Sequence, residues 1–343
     1  MRVGIVTQPL YANYGGILQN YALQQVLKKM GHTPVTLDYM PSLSFGRYLL
    51  YVGKSLLCFL SPSKRHPIKP YRHFLERPAD IDAFVQKYIN TTKTIAKYSK
   101  TILRKYGIEA LVVGSDQVWR YAYNREVLED MYLAFAKDCP CLKVAYAASF
   151  GVEKWDYPEG KGGKAASLAK LVDAVSVRED SGVGLCRENL GVEARTVLDP
   201  TLLLEPSDYD RFCTEPDPEA EPYLAAYVLD MNDEKAAFIQ SVAESRNLKV
   251  RQMTVSDNGE SIESWLSSIR NAAYVITDSY HGTLFSILFS KPFHTFINKE
   301  RGADRFTTIF RKLGIERTES PVDRAKLAVL REESMSFIET VLK

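Results

Sequence analysis

The stretch from Tyr274 to Phe289 constrains the fold of this chain more than any other. It opens with the apolar run Tyr274-Val275-Ile276, which reads as a buried strand. Thr277, Asp278 and Ser279 interrupt it, and such residues suit a loop or a helix N-cap. Apolar residues return at Leu284, Phe285, Leu288 and Phe289, which is helical spacing. His281 and Gly282 therefore fall where a strand ends and a helix begins. In open α/β sheets that crevice is where ligands bind, and a helix N-terminus offers free N–H groups to an anion. A lone histidine is more often a surface or hydrogen-bonded core residue. The strand–turn–helix setting, the adjoining Gly282 and Thr283, and the basic residues downstream favour a functional His281. Gly282 has a plainer role open to it, relief of crowding at the turn.

The same alternation of strand and helix recurs along 343 residues, a length that suits two domains. Strand Arg2–Thr7 leads through Asn13-Tyr14-Gly15-Gly16 into a helix expected over Ile17–Met30, with strand Val35–Tyr39 beyond it. This is how a Rossmann-like half begins, although the G-x-G-x-x-G dinucleotide fingerprint is absent. The paired glycines either let a ligand approach the backbone or form a tight turn. Strand Ile108–Gly114 runs into Ser115-Asp116-Gln117, where Asp116 is either a crevice residue or an N-cap. A strand over Lys143–Gly151 ends in small polar residues. The next ends at Arg178, which either pairs with Glu179 or Asp180 on the surface or offers its fork to a carboxylate or phosphate. A strand over Arg195–Thr201 closes this half.

The Pro- and acid-rich region 206–222 reads as the linker between domains 1–205 and 223–343. The second domain is expected to hold strands at 223–229 and 250–255 and helices at 234–245 and 261–272. The unit at 274–289, a strand at 291–297 and a terminal helix from about Asp323 to Leu342 complete it. Lys299, Arg301 and Arg305 supply cations downstream of His281.

Composition removes several classes. A net charge of +2 gives no global argument for nucleic acid. The five cysteines are scattered, and Cys139-Pro140-Cys141 has the wrong spacing for a C-x-x-C pair. Reduced thiols and a cytoplasmic location are expected, since the N-terminus also runs directly into a strand. No H-E-x-x-H, Walker loop or G-x-S-x-G occurs. Arg47–Leu60 is the most lipid-like segment, too short to span a bilayer and broken by Gly53 and Lys54. It reads as a core or interface helix. Peripheral membrane contact is the lesser alternative, helped by Lys64-Arg65-His66.

Several segments together resemble the polysaccharide pyruvyl transferase family. They are Gly4–Thr7 with Asn13–Gln19, Val113–Trp119, Ser176–Glu179, Val197–Thr201, Asp278–Thr283, and Arg301-Gly302 with Asp304-Arg305-Phe306. The resemblance implies an α/β fold of two Rossmann-like parallel-sheet domains facing a cleft, GT-B-like. It implies transfer of a pyruvyl group from phosphoenolpyruvate to hydroxyls of a sugar or lipid-linked oligosaccharide acceptor, chemistry for which no metal or organic cofactor is expected. His281 and Arg178 match the family's donor-site residues and are the expected catalytic pair. Ser279, Gly282, Thr283, Lys299, Arg301 and Arg305 are expected at the donor. Asn13, Tyr14, Gly15, Gly16, Ser115, Asp116 and Gln117 are expected at the acceptor. Ser279-Tyr280 stands where some members carry Arg-Leu, leaving Lys299, Arg301 or Arg305 to supply that guanidinium. A nucleotide-sugar glycosyltransferase and a non-catalytic glycan-binding protein are the alternatives on this architecture.

Overall fold

The computed structural model describes residues 1–41, 45–58, 76–215, 221–254, 260–297, 302–315 and 322–343. Strands β1 (Arg2–Val6), β2 (Thr33–Thr36), β3 (Ala110–Asp116), β4 (Leu142–Ala148), β5 (Ala174–Val177) and β6 (Arg195–Thr196) form a sheet in the order β2-β1-β3-β4-β5-β6. Strands β7 (Tyr223–Tyr227), β8 (Lys249–Gln252), β9 (Tyr274–Thr277) and β10 (Phe293–Thr295) form a second, ordered β10-β9-β7-β8. Every pairing is parallel. Parallel sheets need crossover helices, and these cover both faces, so inner strands read as continuous apolar runs. Thus all of β3 and β9 is buried, whereas edge strand β8 is exposed throughout.

The first half carries helices α1 (Tyr14–Lys29), α2 (Phe45–Cys58), α3 (Ala79–Tyr88), α4 (Lys100–Tyr106), α5 (Tyr121–Asn124), α6 (Lys161–Ala169) and α7 (Asp180–Leu185). The second carries α8 (Asp233–Ser245), α9 (Ile262–Asn271), α10 (Tyr280–Leu288), α11 (Asp304–Leu313) and α12 (Arg324–Val341). Helix α1 starts at Tyr14 and not at Ile17, so the expected Gly15-Gly16 loop is its first turn. The helix is buried almost all round, and Gln19 and Gln24 pair with the core around it, while Asn20 accepts from Thr36 Oγ1 at 2.8 Å and its Nδ2 has no partner among the described residues. Gln19 donates to Thr7 Oγ1 at 2.9 Å and accepts from the Ser115 amide at 3.1 Å. Gln24 donates to Thr36 Oγ1 at 2.9 Å. Helix α11 was not expected; its apolar Phe306, Ile309, Phe310 and Leu313 have helical spacing, and Gly314 ends it at φ 68°.

The first part of the expected linker is helical. Residues Pro206–Phe212 form a 3-10 helix whose Tyr209 and Phe212 are buried. Tyr209 lies edge-on to Phe285 of α10 at 5.2 Å, and Phe212 lies edge-on to Tyr21 of α1 at 5.0 Å. Burying such rings contributes about 1.5–3 kcal/mol each, so this segment joins the halves as core; residues 216–220 lie outside the described residues. The terminal helix also reaches back to the first half. Ser334 Oγ accepts from the Leu198 amide at 2.9 Å, and Arg331 donates to the carbonyls of Leu202 at 2.8 Å and Leu204 at 3.1 Å. Cys139, Cys141, Cys186 and Cys213 are free thiols. Among the described residues no helix is long and apolar enough to cross a membrane.

Candidate active site

Each sheet has one place where its winding reverses. In the first it lies between β1 and β3; in the second it lies between β7 and β9. Loops leaving neighbouring strands there diverge to opposite faces and open a crevice at the strands' C-terminal ends. In this molecule the two crevices face each other and enclose one cleft of about 320 Å³. Asn13, Tyr14, Gly15, Asp116 and Gln117 form one wall, and Asp278, Ser279, Tyr280 and His281 form the other, with Arg305 beside them.

On the first wall, Asn13 donates to Asp116 Oδ2 at 2.9 Å, tying the α1 entry to the end of β3. Asp116 holds φ 70°, a left-handed conformation that Asp tolerates better than most side chains. Behind it lies Arg178, its side chain fully buried. Arg178 donates to Asp199 Oδ2 at 2.9 Å and to Asp116 Oδ1 at 3.3 Å. Burial raises the Asp116 carboxyl, but Arg178, His281 and Arg305 outweigh it and hold it below the usual range. Asp199 is likewise raised by burial, yet His281 and Arg178 hold it well below that range. Both carboxylates are therefore charged at neutral pH.

On the second wall, Ser279 is the N-cap of α10 and accepts from the Gly282 amide at 3.3 Å. Asp278 accepts from the amides of Leu229 at 2.6 Å and Asp230 at 3.1 Å and from Lys235 at 2.8 Å. It thus clamps the β7 and β9 loops together. His281 is 6% exposed, and its Nε2 lies 3.6 Å from Asp199 Oδ2. That nitrogen is buried with no hydrogen-bond partner among the described residues. A methyl group on Gly15 would fall 2.1 Å from His281 Nδ1. Only glycine lets this ring rest against the opposite helix.

Tyr280 links the cations. Arg178 lies 4.7 Å and Arg305 5.0 Å from its ring centroid. Burial first, and the like charge of Arg178 second, pull the Arg305 guanidinium down to about 10. An anion arriving beside it would offset both effects. Among the described residues no cluster of three or more His, Cys, Asp or Glu could hold a metal ion.

The structure therefore brings Asn13, Tyr14, Gly15, Asp116, Gln117, Ser279, His281 and Arg305 to one cleft. Arg178 and Ser115 stand one layer behind, Ser115 Oγ being 3.3 Å from Asp199 Oδ2. Gly16 would crowd the Asn13 and Asp116 side chains if it carried a methyl group. Gly282 is packed on Thr277, where a methyl would fall 2.6 Å from Oγ1, which is the plainer role the sequence left open. Thr283 pairs with Thr295 at 2.9 Å inside the second half. Lys299 and Arg301 lie outside the described residues. The residues that the sequence reading missed are Asp199, Tyr280 and the aromatic lining of Tyr123, Tyr227 and Trp265.

Two parallel doubly wound sheets closing on a polar cleft define an α/β fold of the GT-B type. A solved structure agrees. A UDP-GlcNAc 2-epimerase from Neisseria meningitidis, bound to UDP-GlcNAc, superposes with a TM-score of 0.52 at 9% identity, covering 99% of this chain and 100% of that one. A UDP-GlcNAc 2-epimerase from Methanocaldococcus jannaschii gives 0.48 at 11% identity, with 97% and 92% covered. Such identities speak to fold alone. A search of curated proteins found no significant match. The polysaccharide pyruvyl transferase family matches residues 13–300, and the chain belongs to that family.

Proposed function

We propose that this transferase moves the pyruvyl group of phosphoenolpyruvate onto two hydroxyls of one acceptor sugar, forming a ketal and releasing phosphate. The observation that carries this reading is His281, a buried ring with an unpartnered Nε2, beside an ionised Asp199 and in one cleft with Arg305. The reaction adds a proton to the methylene carbon, making it a methyl and leaving C2 electron-poor. One sugar hydroxyl attacks C2 and the C–O bond to phosphate breaks. A second hydroxyl then attacks the same carbon. Of the two protons the hydroxyls lose, one balances the new methyl and the other leaves on phosphate.

His281 is placed to carry protons between these groups, a role worth typically ~10²–10⁴-fold. Asp199 orients the ring and stabilises the charge it acquires. Arg305, Ser279 and the α10 N-terminus suit the donor's carboxylate and phosphate. Arg178, with its fork committed to Asp116 and Asp199, acts as a positioning residue. Asn13, Tyr14, Asp116 and Gln117, with the aromatic rings beside them, suit a sugar.

The test is phosphate release from phosphoenolpyruvate across a panel of acceptor glycans, with the ketal detected by mass. His281→Ala should lower turnover at least ~10²-fold while donor binding, read by thermal shift, changes little. Retention of more than about a tenth of the rate would exclude the proton-transfer role. Turnover of a nucleotide sugar in place of phosphoenolpyruvate would overturn the donor.

A further inference from the structure

We infer that the exposed face of α2 docks the protein on an anionic lipid surface. Leu49, Leu50 and Leu56 of this helix are 55%, 68% and 56% exposed. Gly46 and Gly53 are exposed as well, while Ser55 is buried. At 3.6 residues per turn these positions, the exposed ones among the described residues of the helix, share one face about 120° wide, and Ser55 falls on the other side. Single exposed leucines need no explanation, but three on one helix face form a patch that calls for a partner.

Charge selects the partner. From Pro41 to Leu75 the sequence holds six cations, Arg47, Lys54, Lys64, Arg65, Lys69 and Arg72, and no acid. The whole chain is only +2, so the remainder is net acidic. A second copy would carry the same excess of positive charge in this part of its sequence, which opposes it as the occupant. A bilayer rich in acidic headgroups offers apolar cover and complementary charge at once. The helix has 14 residues, too few to span, so it would lie in the plane of the interface.

Position gives the docking a use. Helix α2 follows the C-terminal end of β2, the end of the sheet at which the cleft opens. A surface-bound molecule would thus hold its cleft near glycans carried on lipid. The docking itself stands independently of the donor assignment.

The experiment is co-sedimentation of the full-length protein with vesicles containing phosphatidylglycerol, against vesicles of phosphatidylcholine alone. The wild type should pellet with the anionic vesicles and at least several-fold less with the neutral ones. The double substitution Leu49→Ser with Leu50→Ser should reduce binding by about tenfold or more, with an unchanged circular dichroism spectrum, since both side chains are exposed. Leu56→Glu alone should act in the same direction and guards against a folding defect in the double variant. Wild type left in solution with both vesicles, or variants that bind as well as wild type, would overturn the inference. So would light scattering that shows a wild-type dimer dissociated by these substitutions, because the occupant would then be a second copy.

Discussion

Both terminal nitrogens of the Arg178 guanidinium are committed, one to Asp199 and one to Asp116. The sequence left this arginine either paired on the surface or offering its fork to an anion; it stands buried behind the cleft wall, after the end of its strand. Its partners could not be read, because they come from other strand ends. The adjacent acids point elsewhere: Glu179 accepts from the Phe150 amide at 2.7 Å, and Asp180 accepts from Thr196 Oγ1 at 2.8 Å. Asp199 left a local signal, since an Asp before a Pro is a helix N-cap pattern. It is indeed the cap of a short 3-10 turn through the Thr201 amide. Only the three-dimensional fold adds His281 to that cap. A residue remote from the cleft gives a pH test. Burial first, partly opposed by Lys97, pushes the Asp130 carboxyl up to about 6 from 3.8. The folded state then holds the proton more tightly than the unfolded chain. The destabilisation is fully present above the folded value and vanishes below the unfolded one. Asp130→Asn should therefore stabilise by on the order of 1 kcal/mol at neutral pH, after solvent screening. Denaturant titrations should show that gain shrinking to nothing as pH falls through the two values.

Helix α11 is the element that the sequence could have yielded and did not. Its apolar spacing and its Gly314 stop are both visible in the sequence, and Arg305 sits in its first turn. Helix α1 misled at its start. Two glycines in a first turn disfavour helix by about 1 kcal/mol each; the ring across the cleft explains Gly15, and the Asn13 and Asp116 side chains explain Gly16. Helix α11 also carries the cleft's cation on an anchor in the other half. Asp304 accepts from the Ser181 amide at 2.9 Å, and Thr308 accepts from the Asp180 amide at 3.1 Å, so α11 caps α7. Asp304→Ala should cost about 1 kcal/mol of stability, as lost caps do. On the proposed reaction it should also raise the donor KM several-fold by freeing Arg305, with a smaller change in kcat. Steady-state kinetics with phosphoenolpyruvate would show this, and an unchanged KM would mean that Arg305 keeps its place without the anchor.

For the whole molecule, strand–helix alternation made two parallel sheets legible, because period and turn residues are local. The return of α11 and α12 to the first half was not legible, since nothing in their own residues names the surface they cover. The result is a pair of halves joined by continuous apolar core, with Tyr14, Trp265, Tyr209 and Phe285 crossing between them. Gly15 lies on that seam. Gly15→Ala should lower stability by about 1–3 kcal/mol, as overpacking does, and depress turnover more than tenfold. Gly16→Ala should be milder, because its methyl would meet the Asn13 side chain at 2.9 Å and Asp116 at 3.2 Å, which can yield. Thermal unfolding with turnover measured on both variants would check the ranking. In mechanical terms the bare backbone at residue 15 is a bearing surface. The clearance between the halves is set to less than one methyl group, and the histidine ring is the part that runs against it.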